Sequence, residues 1–196
     1  FVADVPIQVA LSGGVDSTLL ALKAKKNCNN LIRALTVISK SKPSELYKSK
    51  KLCEKKGIPH CIINFNNIDI IEQLKLTIEA QGGPLSHPHA LALYILTSEA
   101  RRKGKVLVTG EGADELFYGY NHYKKGSKST FAFIKHIDLK EVFNNPKGEF
   151  KFDQIINKDF NLNNYFEKNN GRDLDVKTHL LSLLRRNDRI SMKNSV

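Results

Sequence analysis

Ser12-Gly13-Gly14-Val15-Asp16-Ser17 follows an apolar, β-prone run, Val5-Pro6-Ile7-Gln8-Val9-Ala10-Leu11, and opens a helix-like stretch from Val15 to about Lys26. The six residues therefore sit on a strand-to-helix turn, a position suited to anions. Gly13 and Gly14 lack a Cβ and can take the positive φ values that turn successive N–H groups inward. The helix start adds its own N–H groups and the positive end of its dipole. Ser12 and Ser17 offer hydroxyl donors. A carboxylate beside a phosphate site repels its ligand unless a cation lies between them, so Asp16 points to pyrophosphate with Mg²⁺ and to itself as a metal ligand. No lysine of the Walker type follows the glycines, which excludes the phosphate loop of kinases and GTPases. The plainer alternative is an ordinary turn with Asp16 or Ser17 as helix N-cap.

The flanking chain supports an α/β reading. Leu31-Ile32-Arg33-Ala34-Leu35-Thr36-Val37-Ile38 is a near-continuous apolar run of strand length, as expected for a strand covered on both faces. Ser44-Glu45-Leu46 opens a charged helix that ends at Lys56, with Gly57 suited to the position just past it. His60 to Phe65 reads as a third strand, and Ile68 to about Ala80 as a third helix stopped by Gln81-Gly82-Gly83-Pro84. A further helix is expected from His89 to Lys103, and a fourth strand from Val106 to Thr109. Strands alternating with helices predict a doubly wound parallel sheet, whose ligands bind at the carboxyl ends of the strands, where Ser12 to Ser17 lies. His87-Pro88-His89 is read as a rigid loop entering a helix rather than a zinc site, since neither Cys nor carboxylate adjoins it.

At 196 residues the chain can bury a full core, and 41% hydrophobic with 26% charged residues is a globular composition. No apolar stretch approaches the roughly 20 residues needed to span a bilayer, and no signal-peptide pattern opens the chain. Cys28, Cys53 and Cys61 are an odd set without C-x-x-C spacing, so buried reduced thiols and a cytoplasmic location are expected. The net charge of +11 is spread over helix faces and loops, so neither nucleic acid nor membrane is an expected partner. The absence of an initial Met and the stop at Ser195-Val196 after a helical pattern suggest a chain cut at both ends.

Directly after the fourth strand comes Gly110-Glu111-Gly112-Ala113-Asp114-Glu115-Leu116-Phe117-Tyr118-Gly119-Tyr120. Three carboxylates with Gly110 and Gly112 here make an acidic loop at the edge that the first loop also occupies. Asp16 alone is a poor Mg²⁺ site, whereas Asp16 with Asp114 gives two carboxylates that a pyrophosphate-bound ion can bridge. Alternatively Asp114 or Glu115 merely caps the following helix.

The Ser-Gly-Gly-x-Asp-Ser pattern resembles the PP-loop of ATP pyrophosphatases, which cleave ATP to AMP and pyrophosphate. Thr109 to Tyr120 resembles the (S/T)-G-E-G-(A/S)-D-E-(L/V)-F-x-G-Y motif of asparagine synthetases and their relatives. Ala3-Asp4-Val5-Pro6 is similar to the A-D-V-P before their PP-loop, and Leu183 to Ser195 to their L-L-x-x-x-D-R-x-S-M-x-x-S segment. With Ala3–Pro6 and the PP-loop taken as one, the PP-loop, the acidic motif and the C-terminal segment are three matches that run in the family's order, the PP-loop first. GMP synthetases, NAD synthetases and tRNA-modifying enzymes share only the first.

The resemblance implies an ATP-dependent carbon–nitrogen ligase. A substrate carboxylate, aspartate first, attacks the α-phosphate of ATP to give an acyl-adenylate, and ammonia then displaces AMP. It assigns Ser12, Gly13, Gly14 and Ser17 to pyrophosphate, and Asp16 and Asp114 to Mg²⁺. Leu11, Val37, Thr109 and Gly110 match positions lining the adenosine pocket. Glu111 matches a catalytic glutamate that could deprotonate ammonium or orient ammonia. Residues 1–123 are the expected nucleotide-binding core. Residues 124–196 are the expected loop and helical part of the same domain, with Lys124 to Ser129 as a loop over the nucleotide, Phe131, Phe133, Phe143 and Phe160 in a small core, and Asp173 to Met192 as a helical return packing beside the sheet. The family's glutaminase domain, which supplies ammonia from glutamine, and a catalytic lysine are expected outside this stretch, and a homodimer is one assembly open to it. Other readings are an amidotransferase acting on another carboxylate in sugar or natural-product biosynthesis, an RNA-modifying PP-loop protein, and a nucleotide-binding module without catalysis.

Overall fold

The computed structural model describes residues 4–28, 31–38, 43–85, 87, 89–120 and 175–196. The expected loop at 124–129 and the aromatic cluster of Phe131, Phe133, Phe143 and Phe160 lie outside the described residues. The chain divides into two units, Phe1–Glu111 with Leu184–Val196, and Gly112–Leu183.

The first unit contains β1 (Ile7–Ala10), α1 (Val15–Asn27), β2 (Leu31–Ile38), α2 (Pro43–Lys56), β3 (His60–Asn64), α3 (Ile70–Gln81), α4 (His89–Ala100) and β4 (Val106–Val108). All strand pairs are parallel and the order is β3-β2-β1-β4. The chain steps one way from β1 to β3 and returns past β1 to reach β4. With right-handed crossovers this puts α1 and α2 on one face and α3 and α4 on the other. The doubly wound α/β sheet expected from the sequence is therefore the observed architecture, and the reversal beside β1 is the crevice where such sheets bind ligands.

Helix boundaries follow local chemistry. α2 starts at Pro43, one residue before the expected Ser44, because the fixed φ of proline suits a first helical turn. It ends as expected before Gly57, at φ 59°, with Ile58 N–H donating to Cys53 O at 2.9 Å. α3 starts at Ile70 rather than Ile68, because the Asp69 side chain accepts from the N–H groups of Ile71 and Glu72. α4 ends at Ala100 instead of Lys103. Beyond it Arg102 and Lys103 bond to the carbonyls three residues back, and Ala100 O accepts from Gln8 Nε2 at 2.7 Å.

Val9, Leu11, Ala21, Ala24, Ala34, Cys53 and Ile58 form the core between the sheet and α1/α2. Burial, with the nearby Glu54 carboxylate, pushes the Cys53 thiol up to about 11. A polar latch fixes α4 to the sheet. Gln8, 0% exposed, donates to Ala100 O and accepts from Arg33 Nε at 2.8 Å, and Arg33 also pairs with Glu99 at 3.0 Å. Thr36 donates to Leu11 O at 2.6 Å, so its oxygen accepts from His60 Nε2 at 2.8 Å and that nitrogen carries the ring proton.

A π-helical turn, Val176–Leu180, leads into helix Leu181–Lys193, here α6. The expected helical return is thus present over its described residues, with its 184–196 portion packed on α3 and α4. Ile190 joins Ala90, Leu93 and Tyr94, Arg189 donates to Gln81 O at 2.8 Å, and Asn194 donates to Thr97 Oγ1 at 2.8 Å. In the second unit α5 (Ala113–Phe117) starts at Gly112, where a β-carbon would sit 3.2 Å from Leu180 Cδ1.

Candidate functional site

The Ser12–Ser17 loop closes on itself. Ser17 Oγ accepts from Ser12 N–H at 3.2 Å, contacts Ser12 Oγ at 3.0 Å and donates to Gly14 O at 3.3 Å. Gly13 is left-handed at φ 82°, and a β-carbon there would lie 2.6 Å from Glu45 O in the first turn of α2. Gly14 does not take the positive φ open to it. It is the N-cap of α1, at φ −75° and ψ 168°, because an N-cap takes extended backbone. Neither Asp16 nor Ser17 is that cap. Gly14 brings no capping side chain, so the first-turn N–H groups of α1 keep their donor capacity for a ligand. Ser12 and Gly14 are exposed, Asp16 is half-buried in the first turn of α1, and Ser17 is buried under the loop.

Gly110 brings the second loop to the first. A β-carbon at Gly110 would lie 3.4 Å from Ser17 N and 3.5 Å from Asp16 Cβ, so an added methyl would just fill the space between the two loops. The next residue, Glu111, is held from α6. One carboxylate oxygen accepts from Arg186 Nη2, and the other accepts from Asn187 Nδ2 at 2.5 Å. Asn187 Oδ1 in turn accepts from Arg186 Nε at 3.2 Å and Nη2 at 3.0 Å. Arg186 is 4% exposed, so Glu111 is the counter-charge that makes its burial tolerable.

The acidic stretch is therefore not three free charges. Glu111 is paired, and Glu115, 1% exposed in the second unit, accepts from Tyr120 Oη at 2.6 Å with His179 Nε2 at 3.7 Å. Glu115 does not cap α5, whose cap is Gly112 without a side-chain bond. Asp114, half-buried in the first turn of α5, lies against Gly119, where any side chain would collide with its carboxylate.

The Leu11 side chain lies in the core, with its N–H on Leu35 O at 2.7 Å and its carbonyl on Thr36. Val37 at the end of β2 and Thr109 just beyond β4 are half-buried. His87 Nδ1 accepts from His89 N–H at 3.4 Å where α4 begins, as a loop residue turning into a helix does. An open groove of about 430 Å³ between Lys50, Cys53 and Ile62 adjoins the amino end of β3, opposite in polarity to the loops.

Arg186 and Asn187 were not singled out in the sequence because they occupy variable positions of the L-L-x-x-x-D-R pattern. One signal did exist. Leu183, Arg186 and Ile190 share a helical face, and all three are buried, so the arginine interrupts an apolar stripe and requires a partner.

The chain matches the family model described as asparagine synthase over residues 1–196. It is 32% identical over 123 residues to a putative asparagine synthetase (glutamine-hydrolyzing) of Mycobacterium bovis, covering 63% of this chain and 19% of that protein. It is equally similar, 32% over 123 residues, to asparagine synthetase (glutamine-hydrolyzing) 1 of Bacillus subtilis, covering 63% of this chain and 20% of that protein. The matched stretch thus spans about a fifth of the length of these relatives. Among solved structures, an NH3-dependent NAD synthetase from Campylobacter jejuni aligns with a TM-score of 0.40 and 20% identity over 95% of this chain and 84% of that one. With the family match running from the first residue to the last, the chain belongs to the asparagine synthase family.

Proposed function

We propose that this chain binds ATP and activates a carboxylate as its acyl-adenylate, which ammonia then converts to an amide. Aspartate is the first candidate substrate, and a glutaminase domain is the proposed ammonia source. The observation that carries the reading is the meeting, at the carboxyl ends of β1 and β4, of an uncapped helix start with the loop that bears Glu111. The glycine cradle and free first-turn donors of α1 suit a pyrophosphate. Mg²⁺ would be carried in on the phosphate oxygens, since such sites need few protein ligands. Asp16 is its proposed ligand from the first unit, and Asp114 the further ligand that the motif assigns. Bound there, Mg²⁺ would neutralise the pyrophosphate leaving group.

The protein's own residues do the rest. Ser12, Ser17 and the N–H groups of α1 orient the phosphates, with Thr109, Gly110, Val37 and Leu11 proposed beside the adenosine. Glu111, held in one orientation by Arg186 and Asn187, faces the acyl centre and accepts a proton from, or aligns, the incoming nitrogen. The test is carboxylate-dependent exchange of pyrophosphate into ATP by the full-length protein, with aspartate and a panel of other carboxylates. Exchange that requires a carboxylate is expected, with AMP as the product once ammonia is supplied. No exchange with any carboxylate, or ADP as product, would refute it.

A further inference from the structure

Arg186 has more donor capacity than the groups around it use. Nη2 is taken by Glu111 and Asn187 Oδ1, and Nε by the same Asn187 oxygen. Nη1 is fully buried and has no hydrogen-bond partner among the described residues. A guanidinium carries donors only and stays charged, so the group that completes Nη1 must bring an acceptor oxygen. Leaving a buried charged donor unmatched is costly, and each such group in a folded protein calls for an explanation.

Resting on the reading above, we propose that Arg186 is a substrate-recognition residue that receives a carboxylate oxygen of the acidic substrate on Nη1 while Nη2 holds Glu111. An acidic substrate aligned by Glu111 brings negative charge up to a glutamate. In a partly desolvated site the two carboxylates repel unless a cation stands between them. The planar fork of Arg186 serves both, with one terminal nitrogen on Glu111 and the other buried and without a hydrogen-bond partner among the described residues. Lysine, a point charge on a flexible stem, cannot hold two acceptors in that fixed geometry. Asn187 completes the arrangement, since its amide oxygen accepts from Arg186 and its amide nitrogen donates to Glu111, which fixes the guanidinium plane.

The test uses the full-length protein in two measurements. In aspartate-dependent ATP–pyrophosphate exchange, Arg186→Lys is expected to raise the KM for aspartate by roughly tenfold or more, the scale of one lost charge-assisted hydrogen bond, while the KM for ATP stays within about twofold. An unchanged KM for aspartate, or equal rises in both constants, overturns the inference and leaves the ligase reading standing. Calorimetric titration with aspartate, and with asparagine as the amide control, needs no turnover. Aspartate binding that is lost in Arg186→Lys supports the recognition role even if no exchange is found, an outcome that sinks the ligase reading instead. Because a lone buried charge destabilises, the double variant Glu111→Gln/Arg186→Gln, which removes both charges together, is titrated in parallel. Aspartate binding retained by that folded variant overturns the inference.

Discussion

Gly13→Ala tests whether the loop is held by backbone geometry that only glycine allows. At φ 82° an L-residue meets its own carbonyl, costing about 1–2 kcal/mol. The new methyl would also lie 2.6 Å from Glu45 O, a main-chain atom in α2 that cannot rotate away. Forced overpacking of this kind typically adds about 1–3 kcal/mol. The sum, about 2–5 kcal/mol, corresponds to a fall in Tm on the order of 10 °C for a domain of this size. Gly14→Ala is the internal control. Its φ of −75° suits any residue, and an added methyl would meet only the rotatable Ser12 hydroxyl at 3.3 Å, so its folding cost stays below about 1 kcal/mol. Thermal melting of both variants, paired with ATP titration in Mg²⁺, reads stability and binding separately. Gly13→Ala should lose both. If it melts within a degree or two of the parent and binds ATP unchanged, the loop is not held as argued.

Glu111→Gln keeps an acceptor for Arg186 but removes its counter-charge, so it should melt below the parent while, at temperatures where it is folded, ATP binds nearly as to the parent. Amide formation should drop by roughly two orders of magnitude or more in a coupled AMP assay, and normal turnover would refute the role. Gln8→Leu leaves Ala100 O with the N–H groups of Lys103 and Gly104 but takes the acceptor from Arg33 Nε, for a cost of about 1–3 kcal/mol in urea unfolding, and a loss under about 0.5 kcal/mol would show the latch to be incidental. Burial, and then the Lys50 ammonium, hold His60 below its ordinary range, with Glu54 opposing. The unfolded chain therefore takes up the proton first, and stability falls as pH drops through about 6.5. His60→Gln should flatten that part of the pH–stability curve, and an unchanged slope would remove His60 as its source.

The sheet was legible because β2 and β3 are short, largely apolar runs of strand length, and because strands alternating with long helices leave few parallel topologies. The glycine loop was legible as a strand-to-helix turn, yet of the two glycines free to take positive φ only Gly13 does so, and Gly14 is extended. Its backbone is set by the helix it caps, and a Gly-Gly pair does not announce which member does so. Glu111 was legible as a special carboxylate but its state was not. Its partners Arg186 and Asn187 lie 75 and 76 residues further along, and a side-chain pair of that separation leaves no local pattern. Glu115 was counted among three acidic groups although it is buried against Tyr120, a contact that depends on how the chain folds back after α5. Gln8 sits in a strand that reads as core, and its latch was visible only once Ala100 and Arg33 were brought beside it.

The first unit is discontinuous, assembled from Phe1–Glu111 and Leu184–Val196. During synthesis the sheet can form long before Arg186 leaves the ribosome, so a nascent chain carries the glycine loop and Glu111 without the arginine that orients the glutamate. The fixed orientation of Glu111 is thereby deferred until the 184–196 segment docks by contacts that reach back to Glu79, Gln81, Thr97 and Glu111. Closing so long a loop slows assembly, yet each doubling of the intervening length adds only about 0.6 kcal/mol to the equilibrium cost. The stretch between Glu111 and Leu184 can therefore change greatly in length among relatives without loosening the hold of α6 on Glu111.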